Sequence, residues 1–468
     1  MNQRPVNHRL LQAVRTVCAR RGALSAPAVA LLGFGMVSVA LAGPTGGIVV
    51  TGEATISTPN ASTTVIDQAS QHVQLNWNTF DVAANETVRF QQPSSSAVAL
   101  NRILDQNPSQ IFGSLEANGQ VILVNPNGML FGQSAQLNVG SLVASSLDVI
   151  GFDAATGRYT FGTAGADAGA IVNDGAISAA RGGSVTLLGG RVTNNGTIIA
   201  DFGTVNLAAG RAATLDLAGD GLLRLEVDGE LLSSTGGAGA AVENNGLIQA
   251  NGGQVLLTAR AVDDVLANLV NNTGIVRANR IENSGGTIRL VGAGGTVRSS
   301  GVIDASAGDA VSSGGRVEML GERVGLFDAA VVDVSGATNG GTALIGGDFQ
   351  GKNPDIPNAS RTYVSSDARI LADAGVVGDG GRVIVWADEF TRFNGSISAR
   401  GGQLSGNGGF AEVSGKEHLL FRGRADLSAT RGERGTLLLD PTNIVIDASA
   451  DSDPDLDDDG EFEFDEGP

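Results

Sequence analysis

The residues able to do chemistry in this chain are few and scattered. Acid–base or metal-assisted chemistry needs carboxylates gathered beside a cation or a basic partner. Asp304, Asp333, Asp348 and Asp367 are single acids well separated along the chain, and each reads as a turn or solvent-face residue. His72 and His418 lie far apart, and neither sits in a catalytic motif. The glycine-rich steps lack the Lys-Ser/Thr pair and the strand-to-helix setting of a phosphate loop, so they read as turns. Cys18 is the single cysteine, which excludes a disulfide scaffold and a thiolate zinc site. The run Asp451, Asp453, Asp455, Asp457, Asp458, Asp459-Gly460 offers oxygen ligands, but not the Gly and Glu spacing of a calcium loop. No catalytic residue, metal site or cofactor is assigned, and the chain is expected not to be an enzyme.

What remains is a scaffold, and composition narrows its class. The chain has 468 residues, 68 of them Gly but only 12 Pro, and no three-residue Gly period, so it is not collagen. At 42% hydrophobic it is too apolar for a disordered chain. Thirty basic against 49 acidic residues give a net charge of −19, the wrong sign for a nucleic-acid binder.

Residues 1–42 read as a targeting segment. Arg4, Arg9, Arg15, Arg20 and Arg21 form a basic lead without an acid, and an apolar small-residue run from Ala26 to Leu41 follows. Ala40-Leu41-Ala42 fits a small-x-small cleavage site before Gly43. The run is shorter than the ~20 residues a spanning helix needs, so no stable membrane insertion is expected. Cleavage would remove the five arginines and Cys18, leaving a charge of −24 and no cysteine. The expected route is Sec export into the periplasm and onward to the cell surface or medium.

From Asn173 one phrase recurs: polar residue, Gly, any residue, Ile or Val, any residue, Ala. It occurs at Asp174-Gly175 with Ile177 and Ala179, at Asn195-Gly196 with Ile198 and Ala200, and at Asn245-Gly246 with Ile248 and Ala250. Weaker copies start at Thr273-Gly274, Ser300-Gly301 and Asn394-Gly395. A glycine break and a second short strand follow several copies, as in Gly182-Gly183-Ser184-Val185 and Gly380-Gly381-Arg382-Val383. Short strands divided by Asn, Asp and Gly turns, repeating every ~20–25 residues, mean a solenoid. The leucine-rich-repeat phrase is missing and the strands are too short for propeller blades. An all-β, right-handed parallel β-helix fits best. At about 22 residues per coil, about 18 coils are expected, stacked at the 4.8 Å strand spacing. The Asn-Gly and Gly-Gly corners are expected to use positive φ, and stacked Asn to form hydrogen-bond ladders. Residues 353–366, with Asn353-Pro354 and Ile356-Pro357, read as an excursion. Residues 451–468 carry ten acids and no base, and read as a solvated, disordered tail.

The stretch from Val49 to Leu147 is more specific. Phe90-Gln91-Gln92-Pro93 runs through Leu100-Asn101-Arg102-Ile103 into Asn107-Pro108-Ser109-Gln110, then Val124-Asn125-Pro126-Asn127-Gly128-Met129-Leu130-Phe131-Gly132. These phrases strongly resemble the N-terminal secretion domain of filamentous-haemagglutinin-like exoproteins, the exported partners of two-partner secretion. Gly408-Gly409-Phe410-Ala411-Glu412-Val413-Ser414-Gly415-Lys416 and Leu439-Asp440-Pro441-Thr442-Asn443 also look like this family. The resemblance implies a β-helix with an N-terminal cap and small extra-helical β elements. It divides the chain into a signal peptide (1–42), a secretion domain (43–300), a continuing β-helix (301–450) and the acidic tail. It also implies a partner: a separate outer-membrane barrel whose periplasmic POTRA domains recognise the secretion domain.

The family's Asn-Pro-Asn-Gly-Ile motif maps onto Asn125, Pro126, Asn127 and Gly128, with Met129 replacing Ile. Asn101, Arg102, Asn107 and Pro108 complete the candidate secretion motif, and Ala40, Ala42 and Gly43 the candidate cleavage site. Two readings of the motif stand side by side. Pro126 presets φ and Asn127-Gly128 tolerates left-handed turns, so the segment is a competent tight turn needing no partner; direct contact with the transporter is the alternative. Adhesion through a host or bacterial surface receptor is the family-level expectation for the passenger. A β-helical polysaccharide-active enzyme and a haem-scavenging exoprotein are the rivals. Residues 353–366 are the candidate binding protrusion. A self-contained autotransporter would need many ~10-residue barrel strands, which the sequence lacks, and Asp440-Pro441-Thr442-Asn443 usually precedes further sequence in such proteins.

Overall fold

A computed structural model describes residues 43–153, 156–163, 168–216, 224–229, 231, 239–261 and 268–442. The signal segment with Ala40 and Ala42, and the acidic tail, lie outside the described residues.

The alternation of apolar and polar residues builds short strands, and each coil of the chain contributes three. Ser184–Gly189 lies on face A, Arg191–Asn194 on face B and Thr197–Ile199 on face C. The next coil repeats face A at Thr204–Ala209, paired parallel and in register with the strand below it. The same parallel pairing continues to Thr436–Leu438 on face A, His418–Phe421 on face B and Arg424–Asp426 on face C. The molecule is therefore a parallel β-helix. The sole helical turn among the described residues is Phe349–Gly351.

The recurring phrase is face C. Ile177, Ile198, Ile248, Val276, Ile303, Val332, Ile370 and Ile397 stand in one register column, all buried inside the coil. Each such burial stabilises by roughly 1.5–3 kcal/mol relative to exposure. Beside them runs the asparagine ladder. Asn173 Nδ2 donates to Asn194 Oδ1 at 2.8 Å, Asn194 to Asn244 at 2.8 Å, Asn244 to Asn272 at 2.7 Å and Asn272 to Ser299 Oγ at 3.1 Å. All five are fully buried. A buried amide is tolerated because its neighbours in the stack satisfy it.

Positive φ is found as expected at Gly182 and Gly252, the first glycines of two Gly-Gly steps, but the face C corner glycines have a different reason. Gly196, Gly246, Gly274 and Gly301 do not take positive φ. A Cβ on any of them would lie 2.1–2.2 Å from the carbonyl oxygen of the glycine one coil below. Close approach of stacked backbones, not handedness, excludes a side chain.

The coils are also longer and fewer than a 22-residue period implies. Successive ladder rungs are separated by 21, 50, 28 and 27 residues. Among the described residues face C has 14 strands, the first of them antiparallel. At about 4.8 Å per strand the stack is roughly 60 Å long. Inserted segments account for the excess. Asp148–Asp153, Arg158–Gly162, Ala212–Asp216 and Arg224–Gly229 leave the coils and form one antiparallel four-stranded sheet. Tyr159, Phe161 and Leu215 pack its inner side onto the outward side chains Ile122, Val143 and Leu188 of face A. A second insertion joins Thr342–Ile345 to Arg361–Val364 and overlaps residues 353–366. Arg361–Val364 is already back in face B, paired with Arg323–Leu326. Ile356 packs with Trp386 and Leu344 over the outside of face A.

The N-terminal end is capped. Ile48–Thr51 pairs antiparallel with His72–Trp77, and Ala54–Asn60 antiparallel with Thr63–Gln68. The parallel stack begins immediately after them, at Thr63–Gln68 with Thr87–Gln91.

Candidate functional site

Asn125-Pro126-Asn127-Gly128 connects face A, at Gln120–Val124, to face B, at Met129–Phe131. It is a tight turn: the Gly128 amide donates to the Asn125 carbonyl at 2.9 Å. Asn125 is fully buried and its side chain is saturated. Its Oδ1 accepts from the Asn127 amide at 3.0 Å and from Asn127 Nδ2 at 3.3 Å. Its Nδ2 donates to the Asn107 carbonyl and to Ser109 Oγ, each at 3.0 Å. Gly128 has φ +106, and a Cβ there would lie 2.4 Å from the Ala170 carbonyl oxygen in the coil above. Only glycine meets both conditions.

The turn is thus clamped from both sides. Below, Asn127 Nδ2 donates to the Asp105 carbonyl at 2.8 Å, while Asn107 is folded onto the Asp105 carboxylate by its amide at 3.2 Å and its Nδ2 at 3.0 Å. Above, the Gly169 amide donates to the Pro126 carbonyl at 3.1 Å. Pro126, Asn127, Asn107 and Pro108 are exposed, so one patch presents two Asn-Pro steps from adjacent coils.

Asn101 and Arg102 belong elsewhere. Asn101 faces the core, where its Oδ1 accepts from Trp77 Nε1 at 2.9 Å and its Nδ2 donates to the Ala99 carbonyl at 3.0 Å. Arg102 points outward and pairs through Nη2 with the Asp148 carboxylate, tying face A to the extra-helical sheet. Gly43 has φ +90 and lies against Thr64. Asp105, Ser109 and Asp148 are the partners that sequence reasoning missed. Ser109 sat inside the noted Asn-Pro step; Asp105 and Asp148 acquire meaning only through pairing across coils.

A cleft of about 320 Å³ opens between the cap and the extra-helical sheet, lined by His72, Leu100, Arg102, Ile150, Phe152 and Tyr159 among others. Phe152 packs against Tyr159 with ring centroids 4.5 Å apart and planes tilted by 33°. Burial pushes the Tyr159 hydroxyl up to about 12, so it serves as a neutral group at physiological pH.

Of the acids considered for catalysis, Asp304 and Asp333 sit in the stack. Asp304 and Asp333 are register neighbours on face C. Asp304 pairs with Arg277 at 3.1 Å. Burial raises the Asp333 carboxyl, opposed by hydrogen bonds from Ser335. Asp348 lies in the second insertion, where burial raises its carboxyl but donors from Asn353 and Phe349 outweigh that and leave it lowered.

A capped parallel stack carrying an antiparallel outer sheet is the architecture of an exported β-helical secretion domain. A family model described as the TPS secretion domain matches residues 40–305, and the chain belongs to that two-partner secretion family. The heme/hemopexin-binding protein of Haemophilus influenzae strain Rd is 35% identical over 253 residues, 53% of this chain and 27% of the relative. A second heme/hemopexin-binding protein of Haemophilus influenzae is 40% identical over 112 residues, 24% of this chain and 12% of that one. The chain thus spans about a quarter or less of these relatives' length. The crystal structure of the HMW1 secretion domain from Haemophilus influenzae superposes with a TM-score of 0.70 at 30% identity, covering 85% of this chain and all of that one.

Proposed function

We propose that the protein is a passenger recognised in the periplasm by the POTRA domains of a separate outer-membrane barrel, threaded through it, and folded outside to act in adhesion. In this reading residues 1–42 direct Sec export and are removed between Ala42 and Gly43. Residues 43–300 are the secretion domain, and residues 301–450 carry the binding function. The observation that carries the reading is the capped first coil, followed by parallel coils that can be added one at a time. The periplasm offers no ATP, so each coil that buries apolar surface outside opposes backsliding. The Asn125–Gly128 turn links face A to face B in one of the first coils, so a misformed turn would stop addition early. Its exposed Pro126 and Asn127 are the side chains available to a transporter.

The test is co-expression in a Gram-negative host with and without a cognate barrel. Chain beginning at Gly43 should accumulate in the medium only with the barrel. Retention in the periplasm beside a verified functional barrel would overturn the reading. Capture of haem or hemopexin is the second reading, favoured by the similarity to two heme/hemopexin-binding proteins. It predicts that the released chain retains hemopexin on a column, whereas adhesion predicts attachment to cells in the absence of hemopexin.

A further inference from the structure

We propose that the corner where face C turns back into face A, between residues 305 and 409, docks a cationic amphipathic helix of a partner protein. The inference goes beyond the two readings above and stands under either. In the early coils this corner needs four residues, 200–203 and 250–253, to pass from one face to the next. From residue 278 it takes eight to eleven, at 278–286, 305–315, 334–341, 372–381 and 399–409. The added residues stack into a ridge along the coils. The Ala337 amide donates to the Ser312 carbonyl at 2.9 Å, the Val376 amide to the Ala337 carbonyl at 3.1 Å and the Leu404 amide to the Val376 carbonyl at 2.8 Å. Val311, Val376, Val377 and Leu404 on this ridge are 63%, 53%, 41% and 68% exposed. Four of the twelve large apolar side chains exposed among the described residues thus gather on one corner of four successive coils.

The ridge is held rigidly. The Val311 and Ser312 amides donate to Asp309 Oδ1 at 3.0 and 2.7 Å, and the Glu282 amide donates to Asp309 Oδ2 at 2.6 Å. The same clamp holds Glu282 and Asn283 in the left-handed region, at φ 52 and 56, where a side chain is strained. These amide donors lower the Asp309 carboxyl to about 2, so it stays charged in any physiological medium. Farther along, the Asn407 amide donates to Asp379 Oδ1 at 2.7 Å and the Glu433 amide to Asn407 Oδ1 at 2.9 Å. Glu282, Asp309, Asp379 and Glu433 therefore border the apolar strip. Nearby bases are engaged: Arg400 pairs with Asp373 at 2.6 Å, and Arg280 donates to the Asn283 and Gly314 carbonyls. Arg431 and Arg434 lie one coil past Leu404. An apolar strip between carboxylates complements a polypeptide face that is apolar in the middle and basic at its edges. The repeat selects the form of that face. Side chains project from the ridge every ~4.8 Å, near the 5.4 Å pitch of an α-helix. Like-facing side chains of a strand are ~6.8 Å apart, a poorer match. Loops already fixed in place lose little entropy on docking.

The test is fluorescence anisotropy of the full-length protein with a labelled helical peptide of about four turns, with leucine at every third or fourth residue and lysine elsewhere. Two control peptides carry the same residues in scrambled order, or glutamate in place of lysine. The patterned lysine peptide should bind, and salt should weaken it. The scrambled peptide should bind about tenfold more weakly or worse, and the glutamate peptide not at all. Val376→Ser with Leu404→Ser should weaken binding by about tenfold or more. Ile48→Ser with Ile150→Ser, at two positions each 66% exposed away from the ridge, should leave it unchanged. Far-ultraviolet circular dichroism checks that both pairs are folded. Asp379→Asn, which keeps an acceptor for the Asn407 amide and removes the charge, should weaken binding on its own. Equal binding of the scrambled peptide would mean attraction to the acidic chain at large and overturn the assignment. Absence of binding, or equal affinity in the two serine pairs, would overturn it too. Sedimentation tests another occupant: self-association abolished by Val376→Ser with Leu404→Ser would make the ridge a contact between copies and count against a partner helix.

Discussion

At the residue scale the molecule is governed by what one coil does to the next. Asn244 is held between Asn194 and Asn272 by side-chain bonds of 2.8 and 2.7 Å. Asn244→Ala would leave a buried donor on Asn194 and a buried acceptor on Asn272, at a cost of about 2–4 kcal/mol. The expected readout is faster amide exchange confined to Val242–Asn244 and Asn268–Asn272. The Asn-Pro turn separates two roles in the same way. Gly128→Ala forces a Cβ against the Ala170 carbonyl at positive φ, which should cost about 1–3 kcal/mol and lower export. Asn127→Ala removes an exposed bond to the Asp105 carbonyl and should cost under about 1 kcal/mol. Export that falls with Asn127→Ala while stability holds supports transporter contact; export that tracks stability in both variants supports the turn. The chemistry of this patch was half legible. The Asn125–Gly128 turn and Asn107-Pro108 were readable as local motifs. Asn101 was not, because only the fold shows its amide turned inward to accept from Trp77.

At the element scale the sequence shows strands well and their partners poorly. The face C phrase repeats because every copy buries the same Ile or Val beside the same backbone contact. The extra-helical sheet has no such signature: Arg158–Gly162 pairs with Ala212–Asp216 across intervening coils, and no local pattern announces a partner so distant. The same holds for the loop before Arg361–Val364, which closes over Glu412. Burial raises the Glu412 carboxyl, against hydrogen bonds from the Gln350 amide and Ser414, and the nearby Asp440 adds to the rise. A raised carboxyl contributes stability that is complete below its unfolded pKa and is lost as pH rises through the folded value. Glu412→Gln, which keeps an acceptor for Gln350, should therefore raise the unfolding midpoint at about pH 7.5 by a degree or two. The difference should shrink toward zero at about pH 4, near the unfolded glutamate value. A thermal scan of both proteins across this range decides it; a variant less stable at neutral pH would show that the carboxylate is held for its charge.

At the scale of the whole stack the N-terminal cap bears on the direction of folding. The first coil is closed by Ile48–Thr51 and Ala54–Asn60, which supply an antiparallel lid to edges that would otherwise pair with another chain. The last described strand of face A, Thr436–Leu438, is largely exposed. A repeat stack gains stability coil by coil from its nearest neighbours, so a chain emerging N-terminus first has a finished template at once. Equal lesions at the two ends should then have unequal consequences. Phe90 and Phe393 are both fully buried in the coil interior, and truncating either to Ala removes about 3–5 kcal/mol locally. Phe90→Ala damages the template on which later coils stack, and release into the medium should fall several-fold. Phe393→Ala leaves some ten coils above the template intact by the face C register. It should be released at close to the normal level, with its C-terminal coils newly sensitive to protease. Medium yield and limited proteolysis of both variants measure this. Equal loss of release would mean that the stack folds as one unit after transit, and that stepwise coil addition does not drive export.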